Sequence, residues 1–183
     1  GVGRLDVMAA VNDRAMDHYA RQGNLDALPA DSLERRARLL HAMGEDEEQR
    51  GDLNAALAKF SEAHRTTEAL LRQDPDNADR VFAHAQSEYY VGYIAWRQMD
   101  LNRTRPHWQA YLNLAERLQK IEPTSVRPLR ELGYSHGNLC ELGMREKRDI
   151  TGSLKHCRLA IRYQEAALER EPGEAEIALA LAN

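Results

Sequence analysis

Along residues 53–71 the apolar side chains Leu53, Ala56, Leu57, Phe60, Ala63, Leu70 and Leu71, with Thr67 among them, advance in steps of three and four. That spacing lays them along one stripe of an α-helix and leaves the charged residues on the opposite face. The stripe opens at Asp52-Leu53-Asn54 and closes at Asp74-Pro75. A short oxygen-bearing side chain accepts hydrogen bonds from the free N–H groups of a first helical turn, whereas proline removes a donor and disfavours helical geometry in the residue before it. Asp52 therefore reads as a helix start and Pro75 as the end.

The same punctuation returns twice more. Asp52, Asp100 and Asp149 each stand 23 residues ahead of a proline (Pro75, Pro123, Pro172), and every one of those prolines follows an acid, Asp74, Glu122 or Glu171. Ahead of each aspartate runs a further helical segment carrying Met43-Gly44, Val91-Gly92 or Leu139-Cys140, at steps of 48. A large apolar residue followed by a small one lets a neighbouring helix approach closely, so the repeated unit is a helix pair. The units predicted are 31–75, 76–123 and 124–172, with a leading helix and linker in 1–30 and the start of another unit in 173–183.

Local signals refine the boundaries. Leu5, Met8, Val11, Ala15 and Tyr19 form the leading stripe, ended by Gly23, and Asp31 with Glu34 reads as a capping box on the first helix of the first pair. Pro106 would break the ladder of a helix begun at Asp100, which predicts a start nearer Asn102 to Thr104; Pro128 falls in the first turn after Ser125. The start at Gly1-Val2-Gly3 and the finish within the helical pattern Ile177-Ala178-Leu179-Ala180-Leu181 suggest a piece of a longer chain.

This grammar resembles the tetratricopeptide repeat, whose pattern has a Leu-Gly in its first helix, a turn glycine, then small and aromatic residues in the second helix and a closing proline. The first unit supplies Leu40, Met43-Gly44, Gly51, Ala56, Phe60, Ala63 and Pro75. The second gives Val91-Gly92, Thr104, Trp108, Tyr111 and Pro123, and the third Leu139-Cys140, Ser153, Cys157, Ala160 and Pro172. Met99 and Arg148 replace the turn glycine, and Glu47 and Glu88 stand where the family prefers aromatics. The period, 48 or 49 residues here, exceeds the family's roughly 34. The surplus divides evenly, lengthening each helix by about two turns, or roughly 10 Å. The resemblance implies an all-α, right-handed superhelix of antiparallel hairpins. Long repeats with the leader Val11-Asn12-Asp13-Arg14-Ala15 also resemble repeat regions of multidomain bacterial signalling proteins.

Composition narrows the task. The chain of 183 residues is 43% hydrophobic and 30% charged, with a formal charge of −4. That charge argues against a nucleic-acid binder, which would carry an excess of Lys and Arg on one face. No stretch reaches the roughly 18 consecutive apolar residues of a membrane span. A soluble chain is expected, with the cytoplasm favoured over the periplasm.

Catalytic and metal-binding patterns find no anchor. The seven histidines are not spaced as His-x-x-x-His, so neither metal nor cofactor is expected. Asp74, Asp76, Asn77 and Asp79 lack the glycine and the bidentate acid of a calcium loop. The carboxylates Glu45 to Glu48 read as solvated, and no nucleophile is paired with a base. Cys140 and Cys157 fall on facing helices of one hairpin and read as two buried small hydrophobes, a disulfide being the alternative outside the cytoplasm.

What the resemblance implies is a binding surface. First helices of successive hairpins line a concave groove in the family, and the matching positions here are Arg38, His41, Glu45 and Glu48; Gln86, Tyr89, Tyr93 and Trp96; and Tyr134, Gly137, Glu141 and Met144. The expectation is a non-catalytic scaffold that takes a basic or mixed-charge protein segment against an aromatic middle and acidic flanks. With His41 and Glu45 at groove positions, the family's basic clamp for a terminal carboxylate is not expected. A homo-oligomerisation module is the alternative, and a helical enzyme domain a more distant one.

Overall fold

The computed structural model describes residues 25–171, which form six α-helices after a 3-10 turn at Leu25–Ala27. The helices are α1 (Ala30–Gln49), α2 (Leu53–Gln73), α3 (Ala78–Arg97), α4 (Leu101–Ile121), α5 (Arg127–Glu146) and α6 (Ile150–Arg170), with no strand among the described residues. Odd-numbered helices have 20 residues and even-numbered ones 21, so each is about 30 Å long. The expected leading helix and the start of another unit at 173–183 lie outside the described residues.

Asp52, Asp100 and Asp149 cap α2, α4 and α6, accepting from the N–H groups of Ala55, Arg103 and Gly152 at 2.9, 3.1 and 2.8 Å. Asn77 caps α3 in the same way through Asp79 and Arg80. At α1 the structure corrects the sequence reading. Pro29 is the N-terminal cap, and its carbonyl accepts from Ser32 and Leu33. Asp31 therefore sits inside the first turn, where it favours the helix through the dipole instead of through a capping box.

Pro106 is a second correction. The Asp100 cap fixes the start of α4 at Leu101, so the proline lies in the second turn and not the first. Pro106 and Asn102, whose carbonyl loses its usual donor, are both exposed, and water satisfies such a carbonyl at little cost.

Left-handed residues end the first helix of each pair: Gly51 (φ 84°), Met99 (φ 65°) and Lys147 (φ 56°). Lys147, not Arg148, thus takes the place of the turn glycine. Arg148 is an added residue between that turn and the Asp149 cap, and it is why the last interval is 49 and not 48.

Paired helices interlock through one recurring column. A Cβ on Gly44 would lie 2.7 Å from the Phe60 ring, and one on Gly92 would lie 2.5 Å from Cδ1 of Trp108. In the third hairpin the corresponding positions are Cys140 and Cys157, which are joined in a disulfide with Cα atoms 5.0 Å apart. They are not the two buried thiols expected from the sequence. Around this column Ala56, Thr104 and Ser153 are buried, as are Ala63, Tyr111 and Ala160, so the apolar stripe of each even helix faces its partner.

Between hairpins, α2 packs on α3 and α4 on α5. The odd helices meet through side chains: Tyr90 donates to Glu45 at 2.6 Å, Gln86 to Glu131 at 2.8 Å, and the Arg145 guanidinium lies 5.2 Å from the centre of the Trp96 ring. The result is an all-α array of helix hairpins whose odd helices share one face.

Candidate functional site

On the odd-helix face a cleft of about 570 Å³ opens between α1 and α3. Its floor is Ala37, Leu70, Ala83 and the ring of Tyr90, and its rim carries the exposed Ala42 with Glu34, Arg38, Glu45, Asp79 and Arg80. Four residues anticipated from the sequence, Arg38, His41, Glu45 and Gln86, line this one cleft. Small floor residues on two helices leave the room, and the charged rim follows from the polar sides of the same helices.

His41 stands at the cleft wall with Nε2 2.8 Å from the Ser87 hydroxyl. Its Nδ1 is buried and has no hydrogen-bond partner among the described residues. Burial lowers its pKa, with Glu45 opposing, so the imidazole is neutral near pH 7. Tyr90, adjacent to the anticipated Tyr89, is the aromatic that enters the cleft; its ring stacks on Phe60 at 4.5 Å. Burial and the Glu45 carboxylate raise its hydroxyl pKa, keeping it a donor.

The other anticipated aromatics lie further along the face. Tyr89 and Tyr93 stack at 5.8 Å, and the Tyr93 hydroxyl reaches Glu48 at 3.4 Å. Arg97 also bonds Glu48, so this acid is engaged within the array. Trp96 lies under Arg145 with its buried Nε1 lacking a partner among the described residues. On α5, Tyr134 is 55% exposed and Met144 42% exposed, Glu141 is exposed and Gly137 half-buried. Tyr134 lines a separate hollow with Gln164 and Leu168 of α6. The twelve positions therefore do not make one continuous trough: Arg38, His41, Glu45 and Gln86 gather, and the α5 set stands apart.

One polar cluster on the opposite side went unread. His64 of α2 places Nε2 2.9 Å from Oε1 of Glu88 on α3, and His107 of α4 places Nδ1 2.6 Å from Oε2. His84 approaches the same carboxylate, its Nε2 3.7 Å from Oε1. Burial pushes the Glu88 carboxyl up, but the hydrogen bonds from His107 and His64 outweigh it and bring the group to about 2. Burial and His64 hold His84 down at about 4. No His-x-x-x-His spacing announces this cluster, because the histidines come from different helices. The available signal was Glu88 itself, a charged residue in the core-facing column of Leu40 and His136, which must be paired when buried.

No protein-family model matches the chain, and no curated protein matches it in sequence. Among solved structures, the "Crystal structure of MamA protein" is 15% identical, with 78% of this chain and 96% of that chain covered and a TM-score of 0.18. Overlap that slight decides neither fold nor function, which rest on the helices and side chains themselves.

Proposed function

We propose that this chain is a non-catalytic interaction scaffold that holds an extended segment of a protein partner in the α1–α3 cleft. The observation that carries the reading is the cleft's construction: an apolar floor, a rim of three acids and two arginines, and an inward imidazole whose Nδ1 has no partner among the described residues. An apolar trough with a few convergent polar groups suits a side-chain anchor flanked by polar backbone. The rim, one negative charge in excess, favours a basic or mixed-charge segment.

Selection of peptides from a displayed random library on the immobilised chain tests the proposal. Selected peptides should lose at least about tenfold in affinity, roughly 1.4 kcal/mol, on the Ala42→Trp substitution, which fills the cleft from an exposed position. Trp96→Ala should weaken them less. Peptides indifferent to Ala42→Trp would overturn the assignment, as would a selection that enriches nothing.

Self-association is a second reading, favoured by Leu154, Ile161 and Leu168, which lie 43%, 56% and 44% exposed on α6. Their spacing of seven puts them on one stripe. Light scattering of the chain and of an Ile161→Glu variant separates this from the scaffold reading, since only a self-associating chain changes mass.

A further inference from the structure

We propose that His64, Glu88 and His107 form a binding site for one divalent transition cation of the zinc class, tying α2, α3 and α4 together. The three side chains each offer a ligand atom, and these atoms lie within 4.8 Å of one another. They come from both hairpins of the α2–α3 junction, so a shared cation would link the two.

The donor set selects the class of ion. Two imidazole nitrogens and one carboxylate oxygen suit zinc, cobalt or nickel, whereas calcium and magnesium take oxygen ligands. His84 adds an imidazole at the edge of the set. Its Nδ1 is 3.0 Å from the Thr67 hydroxyl, which anchors the ring while Nε2 faces Glu88.

Charge supplies the second argument. Glu88 is only 8% exposed, yet the partners of its two oxygens are imidazoles. A buried carboxylate ordinarily has a guanidinium, an ammonium or a metal against it. A cation among these ligands would set a full divalent charge against that carboxylate.

Access and geometry permit it. His64 and His107 both line an open cleft of about 470 Å³ between α2 and α4, which gives an ion a route from solvent and leaves a coordination position for water. Tetrahedral zinc with bonds near 2.1 Å separates its ligand atoms by about 3.4 Å. The contacts to Glu88, now 2.6 and 2.9 Å, would widen by about half an ångström or somewhat more through rotation of the half-buried imidazoles. On binding, the ring nitrogen that now donates to Glu88 gives up its hydrogen and turns to the cation, and the ring keeps a single proton on its far nitrogen.

Calorimetric titration of zinc chloride into the chelator-dialysed 183-residue chain tests the site, with thermal unfolding measured beside it. The expected result is one equivalent bound and a raised unfolding temperature. His64→Ala, His107→Ala and the near-isosteric Glu88→Gln should each weaken binding by about 10–100-fold, on the scale of altered zinc-site ligation. His156→Ala should leave it unchanged. Circular dichroism verifies that each variant is folded; if an alanine variant is not, Glu88→Gln carries the test. Absence of saturable binding would overturn the proposal, and so would full binding by a folded His64→Ala/His107→Ala double variant.

Discussion

Trp108 stands over Gly92 so closely that a side chain at residue 92 would place its Cβ 2.5 Å from Cδ1 and 2.7 Å from Nε1 of the indole. Both residues are buried, and Trp108 anchors the cluster that includes Leu112, Ala115, Leu132, Leu139 and Leu142. Gly92→Ala must therefore push the helices apart or turn the indole out of its rotamer. The expected loss is about 1–3 kcal/mol, measured by urea unfolding. Gly137, also helical but with nothing within 4 Å of an added Cβ, is the control: Gly137→Ala should gain about 0.5–1 kcal/mol from helix propensity.

Reduction should weaken the third hairpin. The Cys140–Cys157 link closes a loop with a sequence separation of 17, for which chain-entropy arguments give about 3 kcal/mol. In a chain of this size that corresponds to a fall in unfolding temperature of roughly 6–12 °C on adding reductant. A thiol assay on the unfolded, unreduced protein should find no free thiol.

Met99 holds a left-handed conformation that Gly51 adopts freely at the matching turn. Relieving it by Met99→Gly removes backbone strain and adds unfolded-state freedom, with a net gain of about 0.5–1 kcal/mol. The contact of Arg145 with the exposed Met99 sulfur is at the surface and offsets little. The midpoint of chemical denaturation reads the difference.

Acid should destabilise the array well before carboxylates titrate. Burial, then His156 and Lys155, hold the His136 imidazole at about 4 against its usual 6.5. Below pH 6.5 the unfolded chain takes up a proton that the native site refuses until about 4. Stability is thus fully present above 6.5 and lost as pH falls toward 4, by on the order of 1–3 kcal/mol. His136→Leu, which installs the residue found at position 40, should flatten that decline in urea titrations at pH 7, 5 and 4. His41 and His84 shift in the same direction, so part of the slope should remain.

The helices were legible because their signals are local. Asp52, Asp100 and Asp149 act on N–H groups within the next three residues, and α2 and α4 end at the Asp74-Pro75 and Glu122-Pro123 corners, as the chain's local signals predict. Asp31 and Pro106 misled for a complementary reason: each lies just inside a helix whose start is fixed by a neighbour, Pro29 or Asp100, and spacing alone does not say which prevails. The cleft was half legible. Arg38, His41, Glu45 and Gln86 follow from the groove positions that the resemblance to the tetratricopeptide repeat implies, but which of Tyr89 and Tyr90 enters depends on the rotation of α3 against Phe60. The His64–Glu88–His107 cluster was not legible as spacing, since it needs three helices packed at a definite height.

The backbones of these helices pack chiefly against their neighbours in sequence, so ordering one hairpin closes only a short stretch of chain. Such an array can nucleate at any of its hairpins and grow outward, each gaining from the one beside it. The third hairpin has its two rods fastened to each other by the disulfide before any other element docks. Its amides should accordingly outlast those of the first hairpin in hydrogen exchange under oxidising conditions, and that order of protection should reverse once the bridge is opened.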